Sequence, residues 1–188
     1  MLPITVVTGN KGKAAEIERI LGFKFDAVDL DLPEIQSMDA RTVAAAKAKA
    51  AFDLLKIPVV VDDTSLYIDH LGGLPGPFVT WFMSAIGEQR LVDMLRGASS
   101  RKATVACCIG YADAQGIVHT FLGEAVGEMA SEPRGISAKS LGFDSIFIPQ
   151  GASKTFAEMT GEEKDMFSHR RKALDLFKAF MDKNKDSL

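Results

Sequence analysis

The sequence predicts a mixed α/β fold in two lobes, on three observations. Helical and β-branched segments interleave in the first half of the chain, strands cluster in the second half, and Val59-Val60-Val61 is an apolar run without the alternation of a one-sided sheet. At 188 residues, 47% hydrophobic and 25% charged, the chain has the composition of one globular domain, and 1–188 is read as that single domain with no separable linker. Disorder, collagen and coiled coil are excluded.

The elements follow in order. Ile4 to Val7 is a short β-branched run ending in Thr8-Gly9-Asn10-Lys11-Gly12-Lys13, after which Ala14 to Leu21 turns helical, with Ile17, Ile20 and Leu21 on one stripe and Gly22 closing it. Val28, Leu30 and Leu32 alternate with Asp29 and Asp31 as a half-buried strand does, until Pro33 breaks the run. Arg41 to Lys56 is Ala-rich and free of Gly and Pro, hence helical, and leads into the strand Val59 to Val61. Gly72 to Pro77 is a turn-rich loop before a helix around Trp81 to Arg96. Lys102 to Tyr111, Val118 to Leu122 and Glu124 to Ala130 read as an antiparallel meander turning at Asp113-Ala114-Gln115-Gly116, and Ser145 to Ile148 as one more strand. A capping-box match, Thr160-Gly161-Glu162-Glu163, stands before a last helix that runs to about Lys183.

Several function classes fall away. The first five residues lack a basic region and a long apolar stretch, and no apolar run approaches the ~20 residues that cross a bilayer, so neither export nor a membrane partner is expected. Cys107 and Cys108 are adjacent on a strand and point to opposite faces, which argues against a structural disulfide and for a reducing, cytoplasmic setting. A net charge of -3 leaves no basic field for nucleic acid, although a few local lysines can hold a small anion.

Three constellations can carry chemistry. In Gly9-Asn10-Lys11-Gly12-Lys13, glycines admit a phosphate, the helix N-terminus offers N–H groups and Lys13 adds a charge; a plain strand-to-helix turn is the competing explanation. The spacing is not that of a Walker A loop. Asp62-Asp63 stands at the carboxyl end of a buried strand, where two crowded carboxylates repel unless a hard cation relieves them, and Glu34 can supply a second carboxylate; a turn cap beside a solvated Asp is the alternative. On the last helix Arg170, Ala173, Leu174, Phe177 and Met181 share the apolar stripe, so Arg170 needs an acceptor, whether a ligand or a nearby carboxylate. Lys164 and Ser168 share an adjoining face at i and i+4, and His169 borders the stripe. His70 and His119 read as surface or core fillers, and the Met residues and the last helix's phenylalanines as core.

Taken together, the segments Thr8 to Lys13, Leu32-Pro33-Glu34, Val61 to Leu66, Gly73 to Phe78, Gly142-Phe143-Asp144, Thr155 to Met159 and Ser168-His169-Arg170 resemble the inosine triphosphate pyrophosphatase, or Ham1-like, family over nearly the whole chain. The eukaryotic branch is the most similar, because Trp81-Phe82 follows the glycine-rich loop. The resemblance implies an elongated mixed sheet with helices on both sides, two lobes around a nucleotide cleft, and a homodimer. It implies hydrolysis of ITP, dITP and XTP to the monophosphate and pyrophosphate, with Mg²⁺, or Mn²⁺ in its place, held by Glu34 and Asp63. The phosphate loop falls on Thr8, Gly9, Asn10, Lys11, Gly12 and Lys13, a further lysine on Lys47, and Thr64 follows the metal aspartate. The base pocket falls on Leu141, Gly142, Phe143, Asp144, Lys164, Ser168, His169 and Arg170. Thr80 stands where similar eukaryotic members carry a lysine, and Leu141 where they carry an aromatic. Stacking on the base then falls mainly to Phe143, or Leu141 makes a flat apolar contact instead.

The chemistry agrees with that reading. Cleaving an α–β phosphoanhydride needs neutralised phosphate oxygens, a placed water and little covalent work by the protein. Lys13 and Lys47 would hold the triphosphate, and Asp62, as the free carboxylate, could orient or deprotonate the water, though Asp63 or a metal-bound hydroxide could serve. The catalytic set is Asp62, Asp63, Glu34 and Lys13. Alternatives are a Maf-like pyrophosphatase for pyrimidine or modified nucleotides, and a catalytically silent nucleotide sensor.

Overall fold

The computed structural model describes residues 4–135 and 142–184. Along the chain lie β1 (Thr5–Val7), α1 (Lys11–Leu21), β2 (Asp26–Val28), α2 (Ala40–Leu55), β3 (Val59–Ile68), β4 (Pro75–Gly76), α3 (Val79–Asp93), β5 (Lys102–Ala112), β6 (Val118–Met129), β7 (Phe147–Pro149), α4 (Gly161–Asp165) and α5 (His169–Lys183). The strands form one mixed sheet in the order β2-β1-β3-β5-β6-β7, with β4 paired to β3 off that path. β1 runs parallel to β2 and β3, placing Val6 beside Val60, while β4 and β7 pair antiparallel with β3 and β6.

The chain divides into two compact units. Unit 1 comprises the chain up to Asp63, Cys107–Gly123 and the chain from Arg170; unit 2 comprises Thr64–Ala106 and Glu124–His169. Strand alternation organises unit 1. Ile4, Val6, Val60, Cys107, Ile109 and Tyr111 pack with Ile17 and Ile20 of α1 and Ala173, Leu174 and Phe177 of α5, so these two helices cover one face of the sheet. Val7, Val59, Val61 and Ala112 point the other way and pack with Ala48 and Ala51 of α2. Gly110 permits that second layer: a Cβ there would lie 2.5 Å from the Ala44 carbonyl oxygen of α2. In unit 2, Leu66, Ile68, Ala103, Val105, Met129 and Phe147 form a core with Val79, Met83, Leu91 and Val92 of α3.

Several elements differ from expectation for local reasons. The second strand is Asp26–Val28, not 28–32, because its ladder partner β1 ends at Val7, opposite Val28; Leu30 and Leu32 instead pack beside Val7 and Ala48. β3 continues to Ile68, so Asp62 and Asp63 lie inside a strand rather than at its carboxyl end. Val118 to Leu122 and Glu124 to Ala130 are one strand, with Gly123 extended inside the ladder, so the meander reduces to a hairpin closed at Asp113. The last sheet strand is Phe147–Pro149. The Thr160 capping box opens only the short α4, which tightens into an i→i+3 bond from Phe167 N to the Lys164 carbonyl before α5 restarts at His169. Lys164 and Ser168 therefore share no helical face. Cys107 and Cys108 are free, buried and packed in separate clusters, as alternation requires. Among the described residues no helix is long and apolar enough to cross a membrane.

Candidate active site

The alternation that separates the two cysteines also separates the two aspartates. Asp62 shares the α1/α5 face with Val60, and Asp63 shares the α2 face with Val59 and Val61. The expected crowding of two carboxylates is thus corrected: adjacent strand residues project to opposite sides, and each aspartate has its own cationic partners.

On the α2 face, the buried stripe Ala40, Ala44, Ala48 and Ala51 places Lys47 toward the sheet at helical spacing. Its Nζ lies 2.6 Å from Glu34 Oε1 and 3.1 Å from Asp63 Oδ1. Glu34 is half exposed, whereas Asp63 is buried, and its Oδ2 has no hydrogen-bond partner. Burial pushes the Asp63 carboxyl above its ordinary range, more than Lys47 pulls it down. Burial opposes the Lys47 charge, but Asp63 and Glu34 outweigh it and hold the ammonium above its usual value.

On the α1/α5 face, Lys13 Nζ reaches Asp62 Oδ1 at 2.9 Å. Arg170 donates from Nε at 3.1 Å and contacts from Nη2 at 3.0 Å the other oxygen, Oδ2, while its Nη1 bonds Glu16 Oε2. The Cys107 thiol lies 3.6 Å from Asp62 Oδ2. Burial alone would raise the Asp62 carboxyl, yet Lys13 and Arg170 overcome it and hold the group well below the carboxylate range. Asp62 is therefore not the free carboxylate that the sequence suggests; it is the most fully neutralised acid of the pair. Glu16 and Asp62, both in unit 1, are nearby carboxylates that answer the Arg170 charge.

The loop after β1 is more self-contained than expected. Asn10 caps α1, its Oδ1 accepting from Gly12 N at 2.9 Å and Lys13 N at 3.1 Å, so two amides proposed for an anion already have an acceptor. α1 accordingly begins at Lys11 rather than Ala14. Asn10 N in turn donates to Thr8 Oγ1 at 3.2 Å. A Cβ at Gly9 would lie 2.5 Å from the Asp29 carboxylate, the exposed end of a flexible side chain that can swing aside.

In unit 2, Lys164 Nζ lies 2.7 Å from Asp144 Oδ2 and 5.3 Å from the centre of the Phe156 ring. Phe143, expected to stack on a base, is a buried core ring packed on Phe147 and His169; Ser168 and His169 are buried as well. Thr64 is half-buried on β3 and Gly142 half-buried. Leu141 lies outside the described residues. Glu16 was not singled out from sequence, and Cys107 only for its place on a strand, not for the site. Glu16 was within reach, since it sits one turn before Ile20 and three residues after Lys13 on the stripe of α1; Cys107 meets Asp62 only through strand pairing.

These features define a mixed α/β protein whose central strand carries a neutralised aspartate on one face and a lysine-bridged carboxylate pair on the other. The chain belongs to the Ham1 family, whose model matches residues 4–180. It is 42% identical over 179 residues to "Inosine triphosphate pyrophosphatase 2" of Trypanosoma cruzi, covering 94% of this chain and 90% of the relative. It is 41% identical to "dITP/XTP pyrophosphatase" of Methanopyrus kandleri, covering 94% of each chain. These identities do not separate eukaryotic from archaeal relatives. The Ham1 protein of Staphylococcus aureus superposes with a TM-score of 0.82 at 26% identity, covering 96% of this chain and 99% of that one.

Proposed function

We propose that this chain hydrolyses the triphosphates of non-standard purine nucleosides, ITP, dITP and XTP, to the monophosphate and pyrophosphate. The observation that carries the proposal is the Glu34–Lys47–Asp63 cluster, a half-buried cation beside two carboxylates on the α2 face. The named activities of the T. cruzi and M. kandleri relatives support it.

The cluster fits a hard divalent cation, which we take to be Mg²⁺ with Mn²⁺ as a substitute. Among the described residues no group of three or more His, Cys, Asp or Glu gathers as a metal cage. Mg²⁺ needs only one or two carboxylates when phosphate oxygens and water complete its shell, and the buried, unpartnered Asp63 Oδ2 is an oxygen seeking such a charge. Glu34 and Asp63 would hold the ion, which when bound neutralises phosphate oxygens. Lys47 and Lys13 supply further positive charge toward the triphosphate, and Lys164, Asp144 and the Ser168-His169 segment carry base recognition.

Water is the nucleophile: its oxygen bonds to the α-phosphorus as the bond to the bridging oxygen breaks, and pyrophosphate leaves with that oxygen. Neither cysteine can attack, because burial pushes Cys107 well above and Cys108 up to about 12. Lys13 and Arg170 hold the Asp62 carboxyl ionised and weakly basic, so its part toward the water is to orient it by accepting a hydrogen bond. The proposal includes a homodimer, checked by a mass measurement in solution. The test of activity is pyrophosphate release from ITP, XTP, dUTP, ATP and GTP with Mg²⁺. ITP and XTP are expected to react fastest; preference for dUTP or ATP, or no release at all, overturns the proposal.

A further inference from the structure

We propose that Lys47 is a tethered cation that occupies the Glu34–Asp63 carboxylate pair until a triphosphate draws its ammonium away, so that metal ion and nucleotide bind with positive coupling. The inference rests on the reading of this site as that of a metal-assisted nucleotide pyrophosphohydrolase.

The geometry supplies the competition. Lys47 Nζ contacts one oxygen of each carboxylate, at 2.6 and 3.1 Å, which is the point where the two negative charges converge. A dication drawn to the same pair must displace that ammonium or bear its repulsion at contact distance. Lys47 does not give way freely, because it stands on the sheet-facing stripe of α2 between Ala44 and Ala48 with only 15% of its side chain exposed. Leaving both carboxylates without another acceptor would strand the charge in a partly dehydrated site.

A triphosphate removes that obstacle. Its anionic oxygens give the ammonium a new acceptor, and transfer of Nζ releases Glu34 Oε1 and Asp63 Oδ1, which join the unpartnered Asp63 Oδ2 as donors for a cation. Each ligand then favours the state that the other binds, and the coupling is reciprocal. Helix α2 provides an internal control: Lys49 carries the same charge but pairs with Asp53 on the exposed side of the helix.

The test is calorimetric titration of Mn²⁺ into the full chain, with and without a hydrolysis-resistant α,β-methylene analogue of ITP. Without nucleotide, Lys47→Met is expected to tighten Mn²⁺ by about tenfold or more, and Lys49→Met by about twofold or less. The analogue is expected to tighten Mn²⁺ in both proteins, since its phosphate oxygens bind the ion directly, but by a factor several-fold larger in the wild type than in Lys47→Met. Equal responses of the two variants, or no tightening in Lys47→Met, overturn the proposal. If Lys47→Met does not fold, the side-chain ammonium resonance of Lys47 in ¹⁵N-labelled wild type decides instead. It is expected to stay in place with Mg²⁺ alone and to shift when the analogue is added; a shift with Mg²⁺ alone overturns the proposal. Pyrophosphate release from ITP by the wild type tests the underlying reading separately, since that turnover stands or falls whatever Lys47→Met does to metal affinity.

Discussion

Replacing Asp62 with Asn removes the one negative charge shared by Lys13 and Arg170 while keeping the side chain's size. Asp62 is buried, and the Arg170 side chain is 7% exposed against 28% for Lys13, so the guanidinium bears most of the loss. Deleting one partner of a buried ion pair costs about 3–5 kcal/mol. Glu16 still contacts Arg170, and Lys13 can turn toward water, which places the expected cost near the lower end, at about 3 kcal/mol. At roughly 2–4 °C per kcal/mol for a chain of this size, Tm falls by roughly 6–12 °C. The pH dependence has a definite sign. Lys13 and Arg170 hold the Asp62 carboxyl below its ordinary range, so its contribution is complete above the unfolded value of about 3.9 and is lost as the pH falls toward the folded value. Urea unfolding followed by circular dichroism at several pH values measures the gap between wild type and variant. It is expected to be constant from about pH 5 to 8 and to narrow below about pH 4. A gap below about 1 kcal/mol at neutral pH, or one that widens with acid, refutes the assignment of Asp62 as the centre of a buried ion cluster.

Other perturbations separate the roles further. Asp63→Asn is expected to lower kcat on the order of a hundredfold or more while Tm barely moves, because burial already disfavours its charge; near-normal turnover at saturating Mg²⁺ would contradict the metal assignment. Arg170→Ala is expected to depress kcat/KM for ITP and ATP by similar factors, since its guanidinium serves Asp62 and Glu16; a collapse of the ITP/ATP ratio would return it to base recognition. Gly110→Ala is expected to cost about 1–3 kcal/mol in urea unfolding, as its Cβ would meet the Ala44 carbonyl oxygen at 2.5 Å, and an unchanged midpoint would show that α2 can shift away.

Much of this protein was determined by sequence alone. The spacing of Ile17, Ile20 and Leu21 on α1, and of Ala173, Leu174 and Phe177 on α5, places apolar stripes that can only be buried against a sheet, and Val59 to Val61 shows that the sheet is covered on both faces. The same periodicity puts Arg170 on the sheet-facing stripe of α5, where a charge demands an acceptor, whereas Lys13 came from the loop motif and Lys47 from the family resemblance. The motif set identified the family because each segment is local in sequence. Where strands end was not legible, because a strand stops where its neighbour's ladder stops: Leu30 and Leu32 alternate correctly but have nothing to pair with once β1 ends at Val7. Nor was the choice of acceptor legible. Asp62 and Asp63 are neighbours in the chain, and alternation could already have parted them, but only tertiary packing decided their partners. Lys13 and Arg170, 157 positions apart in the chain as 170 − 13, meet at Asp62, while Lys47 bridges Asp63 to Glu34. Periodicity is set by backbone geometry within a few residues, whereas the partner of a buried charge is set by which helices cover each face of the sheet, and that depends on the whole chain.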